Sequence, residues 1–193
     1  MIAETTARRD PTPALALLEL GSIARGMVVG DATVKRAAIA LWRAEAVTPG
    51  KFLVLFGGGE EEVRQSFDEG KALAGPALID ELYLPQADAQ LYTALEGKLE
   101  PREVEALAIV ETFSVASALL SADRALKMAE VQLIRMRLAR GLGGKAFYVL
   151  SGAQHQLEAS LEAGRSIIHD GMLLASELIP QPHPEFVATL WES

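Results

Sequence analysis

The chain contains no cysteine. That excludes disulfides, a thiol nucleophile, cysteine-ligated zinc and an ordinary cysteine-ligated iron–sulfur cluster, and it fits a reducing compartment. Basic residues are in the minority: 18 Lys and Arg stand against 26 Asp and Glu, for a net charge of −8. Such a balance argues against generic binding to nucleic acid or to an anionic membrane. No apolar run reaches 18 residues, so no transmembrane helix is expected. The opening segment, MIAETTARRDPTP, has no apolar core of a signal peptide, and residues 1–13 are expected to form a flexible leader. Histidine is scarce. His155, His169 and His183 are spread without a close ligand pair, so no metal site and no cofactor are expected. No Ser-His-Asp set or other catalytic constellation stands out, and no enzyme activity is expected.

What is present is an ordinary globular composition, half hydrophobic and 23% charged over 193 residues. It allows one large domain or two of about 90–100 residues. Internal repetition decides between them. ALLELGSIARGMVVGDATVKRA (16–37) lies over AIVETFSVASALLSADRALKMA (108–129), matching Glu19 to Glu111, Ser22 to Ser114, Asp31 to Asp123 and Lys35 to Lys127. PGKFLVLFGG (49–58) lies over GGKAFYVLSG (143–152), Ser66 and Gly70 over Ser160 and Gly164, and Pro85-Gln86 over Pro180-Gln181. The offset grows from 92 to 94 to 95. A frame kept this long with so little drift marks two tandem duplicated domains.

Each copy predicts the same element order. An apolar strand (15–20; 107–112) leads into an amphipathic helix (22–37; 114–129) with Ser22 or Ser114 as N-cap. A second strand, a Gly-containing loop, a third strand, a second helix and a fourth strand ending at Pro follow. A short helix closes each copy, near 88–95 and 184–191. The order βαββαβ plus a short helix predicts two ferredoxin-like α/β sandwiches, at 14–95 and 106–193, joined by a polar linker at 96–105.

Other motifs carry little. GLGGKA lacks phosphate-loop spacing, and Ala146 stands where a magnesium-holding Ser or Thr would be. FGGGEEE places three Glu in a first helical turn, which repels phosphate and suits the helix dipole. The adjacent carboxylates Asp80 and Glu81 alternate faces of a strand and are expected to be solvated. Trp42 and Trp191 are read as packing residues.

The D-x-x-x-K-x-A helix end, the Gly loop before a GK strand and the strand ending in PQ, each present twice and completed as IPQPH at 179–183, resemble the bacterial microcompartment shell proteins. More closely, the chain resembles their tandem-domain members, which form pseudohexameric trimers, in the unpermuted, single-layer form. The resemblance covers residues 14 to 191 and implies a structural, non-enzymatic role in a cytoplasmic shell. Three chains would form a facet tile around a central pore for small metabolites, beside hexameric and pentameric shell proteins and with no nucleic-acid or membrane partner.

The resemblance also implies residue roles. Lys35 and Lys127 would lie at the edge between neighbouring oligomers, with Gln86 and Gln181 beside them in place of the family's Arg, and His183 at the same rim. A Lys in the last turn of a helix also suits the negative end of the dipole without any partner. Val47, Thr48, Pro49 and Gly50, and Gly141, Leu142, Gly143 and Gly144, would line the pore as alternating stiff and Gly-rich loops, although a plain hairpin connection reads the same. Lys51, Arg140 and Lys145, if they face the pore mouth, would concentrate small anions there. The competing function is a ferredoxin-like trimer that binds a small molecule as a sensor or regulator.

Overall fold

The computed structural model describes residues 14–100 and 103–191; the leader expected at 1–13 falls outside them. The first repeat runs β1 (Ala14–Leu20), α1 (Ile23–Arg36), β2 (Ala40–Val47), β3 (Lys51–Gly58), α2 (Glu60–Ala74), β4 (Leu78–Leu84) and α3 (Ala89–Leu95). The second runs β5 (Ala106–Thr112), α4 (Val115–Met128), β6 (Gln132–Leu138), β7 (Ala146–Gly152), α5 (Gln154–Ser166), β8 (Leu173–Ile179) and α6 (Pro184–Thr189). Each forms one four-stranded antiparallel sheet, in the orders β2-β3-β1-β4 and β6-β7-β5-β8. This is the expected ferredoxin-like arrangement, unpermuted and present twice. A one-turn 3₁₀ segment at Gly75–Ala77 is the only regular element the periodicity missed in the first repeat.

The repeat reaches into the irregularities. Trp42 in β2 and Ile134 in β6 are both the extra residue of a register shift against the central strand pair. Ile79 and Leu174 are likewise the extra residues opposite β1 and β5. Bulges at matched positions twist both sheets alike.

The cores follow from strand alternation. Every residue of β1 is buried. Ala14, Ala16, Leu18 and Leu20 face α1 and α2 with Phe52, Val54 and Phe56, while Leu15 and Leu17 face the other way with Leu53, Leu55, Leu82 and Leu84. That second face is covered by α3 and by the other domain, and its cluster continues into the core between α4 and β5. The helices are capped as the sequence predicts: Ser22 accepts from the Arg25 N–H at 3.3 Å and Ser114 from the Ser117 N–H at 3.1 Å.

The two domains fill equivalent space differently. A Cβ on Gly26 of α1 would lie 2.4 Å from the Phe52 ring. At the matched positions of the second domain stand Ala118 and Ala146, both buried. Tyr148 stands in Val54's place, and its hydroxyl bonds Ser121 Oγ at 2.7 Å.

Candidate functional site: the domain junction, the paired loops and the rim

One residue anchors the junction between the domains. Glu19 is fully buried on β1. Its carboxylate takes the Lys51 ammonium at 2.6 Å and the Val115 N–H at 2.8 Å. A side chain of the first domain thus satisfies an orphan donor in the first turn of α4 and complements its dipole. Burial pushes the Glu19 carboxyl above the usual carboxylate range, against the pull of Lys51 and the α4 backbone. Lys51 also donates to the carbonyls of Phe113 at 3.1 Å and Gly144 at 3.4 Å.

Further contacts extend the seam. Asp80 accepts from the hydroxyls of Ser114 and Ser117, and the Asp88 N–H donates to Asp123 at 2.8 Å. Gln90 on α3 bridges to the second domain: its Oε1 accepts from the Leu133 N–H at 2.8 Å, and its Nε2 donates to the Val131 carbonyl at 3.2 Å. The expectation that Asp80 and Glu81 are simply solvated is corrected. Asp80 faces the start of α4, and Glu81 pairs with Lys71.

One face of each domain is used in this junction and one is left over. Ten residues of α4 are buried, against four of α1. Met27 is 61% exposed where its counterpart Leu119 is 0%, and Leu41 is 43% exposed where Leu133 is 4%. Ile23 against Val115 and Val34 against Leu126 repeat the contrast. At the other end, Phe186 on α6 is exposed where Leu91 on α3 is fully buried.

The two Gly-containing loops meet. The first, Val47 to Gly50, closes with a Gly50 N–H to Val47 carbonyl bond of 2.9 Å. Val47 turns inward and is buried, while Thr48, Pro49 and Gly50 are exposed. The second is held by Leu142 N–H to Ala139 carbonyl at 3.0 Å and Ala139 N–H to Lys145 carbonyl at 2.9 Å. Gly141 and Gly143 are exposed, and Leu142 is half-buried. Gly144 is buried with φ +80°, and a Cβ there would lie 3.0 Å from the Thr48 carbonyl and 3.1 Å from Pro49. Only Gly permits both the dihedral and the approach.

The expected pore-mouth charges each have a carboxylate partner within the chain. Lys51 holds Glu19 beneath the loops, Arg140 holds Glu45 across the junction, and Lys145 lies 3.3 Å from Glu111. Glu45 is shared, since it also pairs with Arg43 at 3.7 Å.

At the rim, the two lysines are equivalent in frame but not in surroundings. Lys35 pairs with Asp31 at 2.6 Å, both exposed. Lys127 pairs with the buried Asp123 at 2.6 Å and also donates to the Gln86 carbonyl, so it ties α4 to the PQ corner of the first domain. Gln181 and His183 are exposed on the second corner, where the His183 Nδ1 accepts from the Glu185 N–H at 3.3 Å and caps α6.

Sequence reasoning missed Asp80, Asp88 and Gln90 as junction residues. A signal existed: within the repeated frame, Asp80 faces Ala175, Asp88 faces His183 and Gln90 faces Glu185. Positions where duplicated domains differ are where their neighbours differ.

Comparison with known proteins accords with this geometry. The BMC domain matches residues 14–87 and again 106–182. A relative from Citrobacter freundii, "Bacterial microcompartment shell protein PduT", is 39% identical over 171 residues, 88% of this chain and 93% of that protein. The crystal structure of a microcompartments protein from Desulfitobacterium hafniense superposes with a TM-score of 0.81 at 37% identity, over 91% of this chain and 98% of the other. A fused permuted hexameric shell protein from the RMM microcompartment shares the fold, with a TM-score of 0.58 at 16% identity over 81% of each chain. With its sheets in unpermuted order and two domain matches that together span most of its length, the chain belongs to the BMC-domain family of microcompartment shell proteins, in its tandem form.

Proposed function

We propose that this protein is a structural tile of a cytoplasmic bacterial microcompartment shell. Three copies associate head to tail into a ring of six BMC domains, which packs beside hexameric and pentameric shell proteins. The observation that carries this reading is the leftover face: the exposed apolar residues on α1 and β2 match residues buried on α4 and β6 at the junction within the chain. A contact between unlike faces that repeats through a rotation closes a ring or runs on as a filament, and six domains per ring is what the family resemblance implies.

In such a ring the paired loops stand around the axis. Thr48, Pro49, Gly50, Gly141, Leu142 and Gly143 would line a threefold pore for small metabolites, with Val47 and Gly144 buttressing it from behind. Lys51, Arg140 and Lys145 each lie beside a carboxylate, and Arg43 shares Glu45 with Arg140, so the mouth would carry less positive charge than its cations alone suggest and would also discriminate by width and backbone N–H groups. Lys35, Lys127, Gln86, Gln181 and His183 remain at the rim, where they would meet neighbouring tiles.

Co-expression with shell hexamers and pentamers, followed by electron microscopy and native mass measurement, tests the proposal. The expected result is a particle about three times the 20.7 kDa chain mass that enters closed shells. A species that never enters shells, yet shows a ligand-dependent thermal shift, would favour the sensor reading instead.

A further inference from the structure

We propose that the seam between two copies of this chain is a weakened version of the junction inside it, and that Glu185 sets its strength by standing where Gln90 stands. This rests on the head-to-tail ring. The occupant of the leftover α1 and β2 face is a second copy of the chain, whose α6 and β8 take the part that α3 and β4 play within the chain.

Most of the template is retained at the seam. Glu111 replaces Glu19 and is placed to receive the Ile23 N–H of the next copy, the counterpart of Val115. Lys145 replaces Lys51, and it already lies against Glu111. Lys35 replaces Lys127, with the Gln181 carbonyl as counterpart of Gln86. Phe186 replaces Leu91 and Leu41 replaces Leu133, so two exposed apolar side chains cover one another.

Three polar links are changed. Arg137 stands at the position of Glu45, so the Arg140–Glu45 pair of the internal junction has no counterpart at the seam. Ala175 stands at the position of Asp80, so Ser22 gains no acceptor there. At Gln90 the change is subtler. The amide both donates to the Val131 carbonyl and accepts from the Leu133 N–H. The matching groups on the next copy are the Ile39 carbonyl and the Leu41 N–H. An ionised Glu185 can accept from Leu41 but has no hydrogen for Ile39, so two oxygens face each other. The seam keeps its specificity through shape and the retained hydrogen bonds to backbone, and it opens before the covalent chain's own junction does.

The cysteine-free chain makes the test direct. Leu41→Cys and Glu185→Cys, placed in separate chains, should cross-link with a short bis-maleimide only when mixed. The double variant should link into a closed three-chain species. Glu185→Gln should tighten the ring about tenfold per seam, read as dissociation against dilution and against urea. Gln90→Glu should lower the unfolding midpoint of the chain. A ring that forms with the expected cross-links but is no tighter with Glu185→Gln overturns the assignment of Glu185 and leaves the ring standing. A chain that stays monomeric at every concentration, or that cross-links as same-residue pairs, overturns the ring reading and this inference with it.

Discussion

The carboxylate of Glu19 accepts a hydrogen bond from the backbone N–H of Val115, 96 positions further along the chain. A strand of the first domain thereby caps the leading helix of the second, and the same carboxylate holds Lys51. The contact makes the tandem pair one body and displays, within a single chain, how one BMC domain seats the next.

Glu19 gives the first prediction. Its carboxyl is raised by burial. The stability it confers is therefore complete below the unfolded value of about 4.5 and declines as pH rises through its higher folded value. Glu19→Gln keeps an acceptor for Val115 and does not titrate. Denaturant unfolding of both proteins at steps from pH 4 to 7 should show the native chain losing stability relative to the variant across that window. A constant difference would refute it.

The rim lysines should respond unequally. Lys35→Ala removes an exposed i,i+4 pair, and a change within about 0.5 kcal/mol is expected. Lys127→Ala strips a partner from the buried Asp123 and unties the Gln86 carbonyl, at a cost of about 1–3 kcal/mol. Thermal unfolding of the two variants in parallel decides the matter.

Gly26 and Phe52 form a size pair. Gly26→Ala drives a methyl into the Phe52 ring, which lies 2.4 Å away, and should cost about 1–3 kcal/mol. In a Phe52→Ala background the same change should cost less, because the ring is gone and only the Cβ of residue 52, 2.5 Å from the new methyl, still has to give way. A double-mutant cycle that shows simple additivity would contradict this packing.

Gly144→Ala and Gly143→Ala both place Ala at a positive φ, but a Cβ at 143 meets nothing within 4 Å, whereas at 144 it meets the Thr48 carbonyl. Gly143→Ala should cost about 1 kcal/mol. Gly144→Ala should cost more and should alter metabolite passage in a shell-permeability assay, because it pushes the two loops apart.

Met27 and Val28 are exposed in the single chain. Met27→Glu with Val28→Glu should leave the unfolding midpoint of the isolated chain nearly unchanged while abolishing the proposed three-chain ring on size-exclusion chromatography with light scattering.

The fold was legible because duplication repeats the signal. Ser22 and Ser114, the twin Gly loops and the Pro-terminated strands each reinforced a pattern that one copy would state weakly, and the observed elements fall within a residue or two of expectation. The junction was not legible. Asp80 reads as one more acidic strand residue until the seryl hydroxyls of α4 are brought to it, and Lys51 reads as a free cation until Glu19 is seen beneath the loops. Both depend on partners dozens of positions away, and hydrophobic periodicity carries no information about which domain a solvent-facing side chain will meet. Gln90 was hidden for the same reason, since its two partners are backbone groups, which no side-chain pattern reveals.

Joining the two copies in one polypeptide also changes what a single mutation can reach. Where a ring is built from one repeated domain, any substitution appears at every equivalent position at once, so a change that helps one contact must be tolerated by all. Here Gly26 and Phe52 could take one solution to filling their space, and Ala118 and Ala146 another. One loop could stiffen with Pro49 while the other lengthened with glycines. The fused chain can explore asymmetry one half at a time.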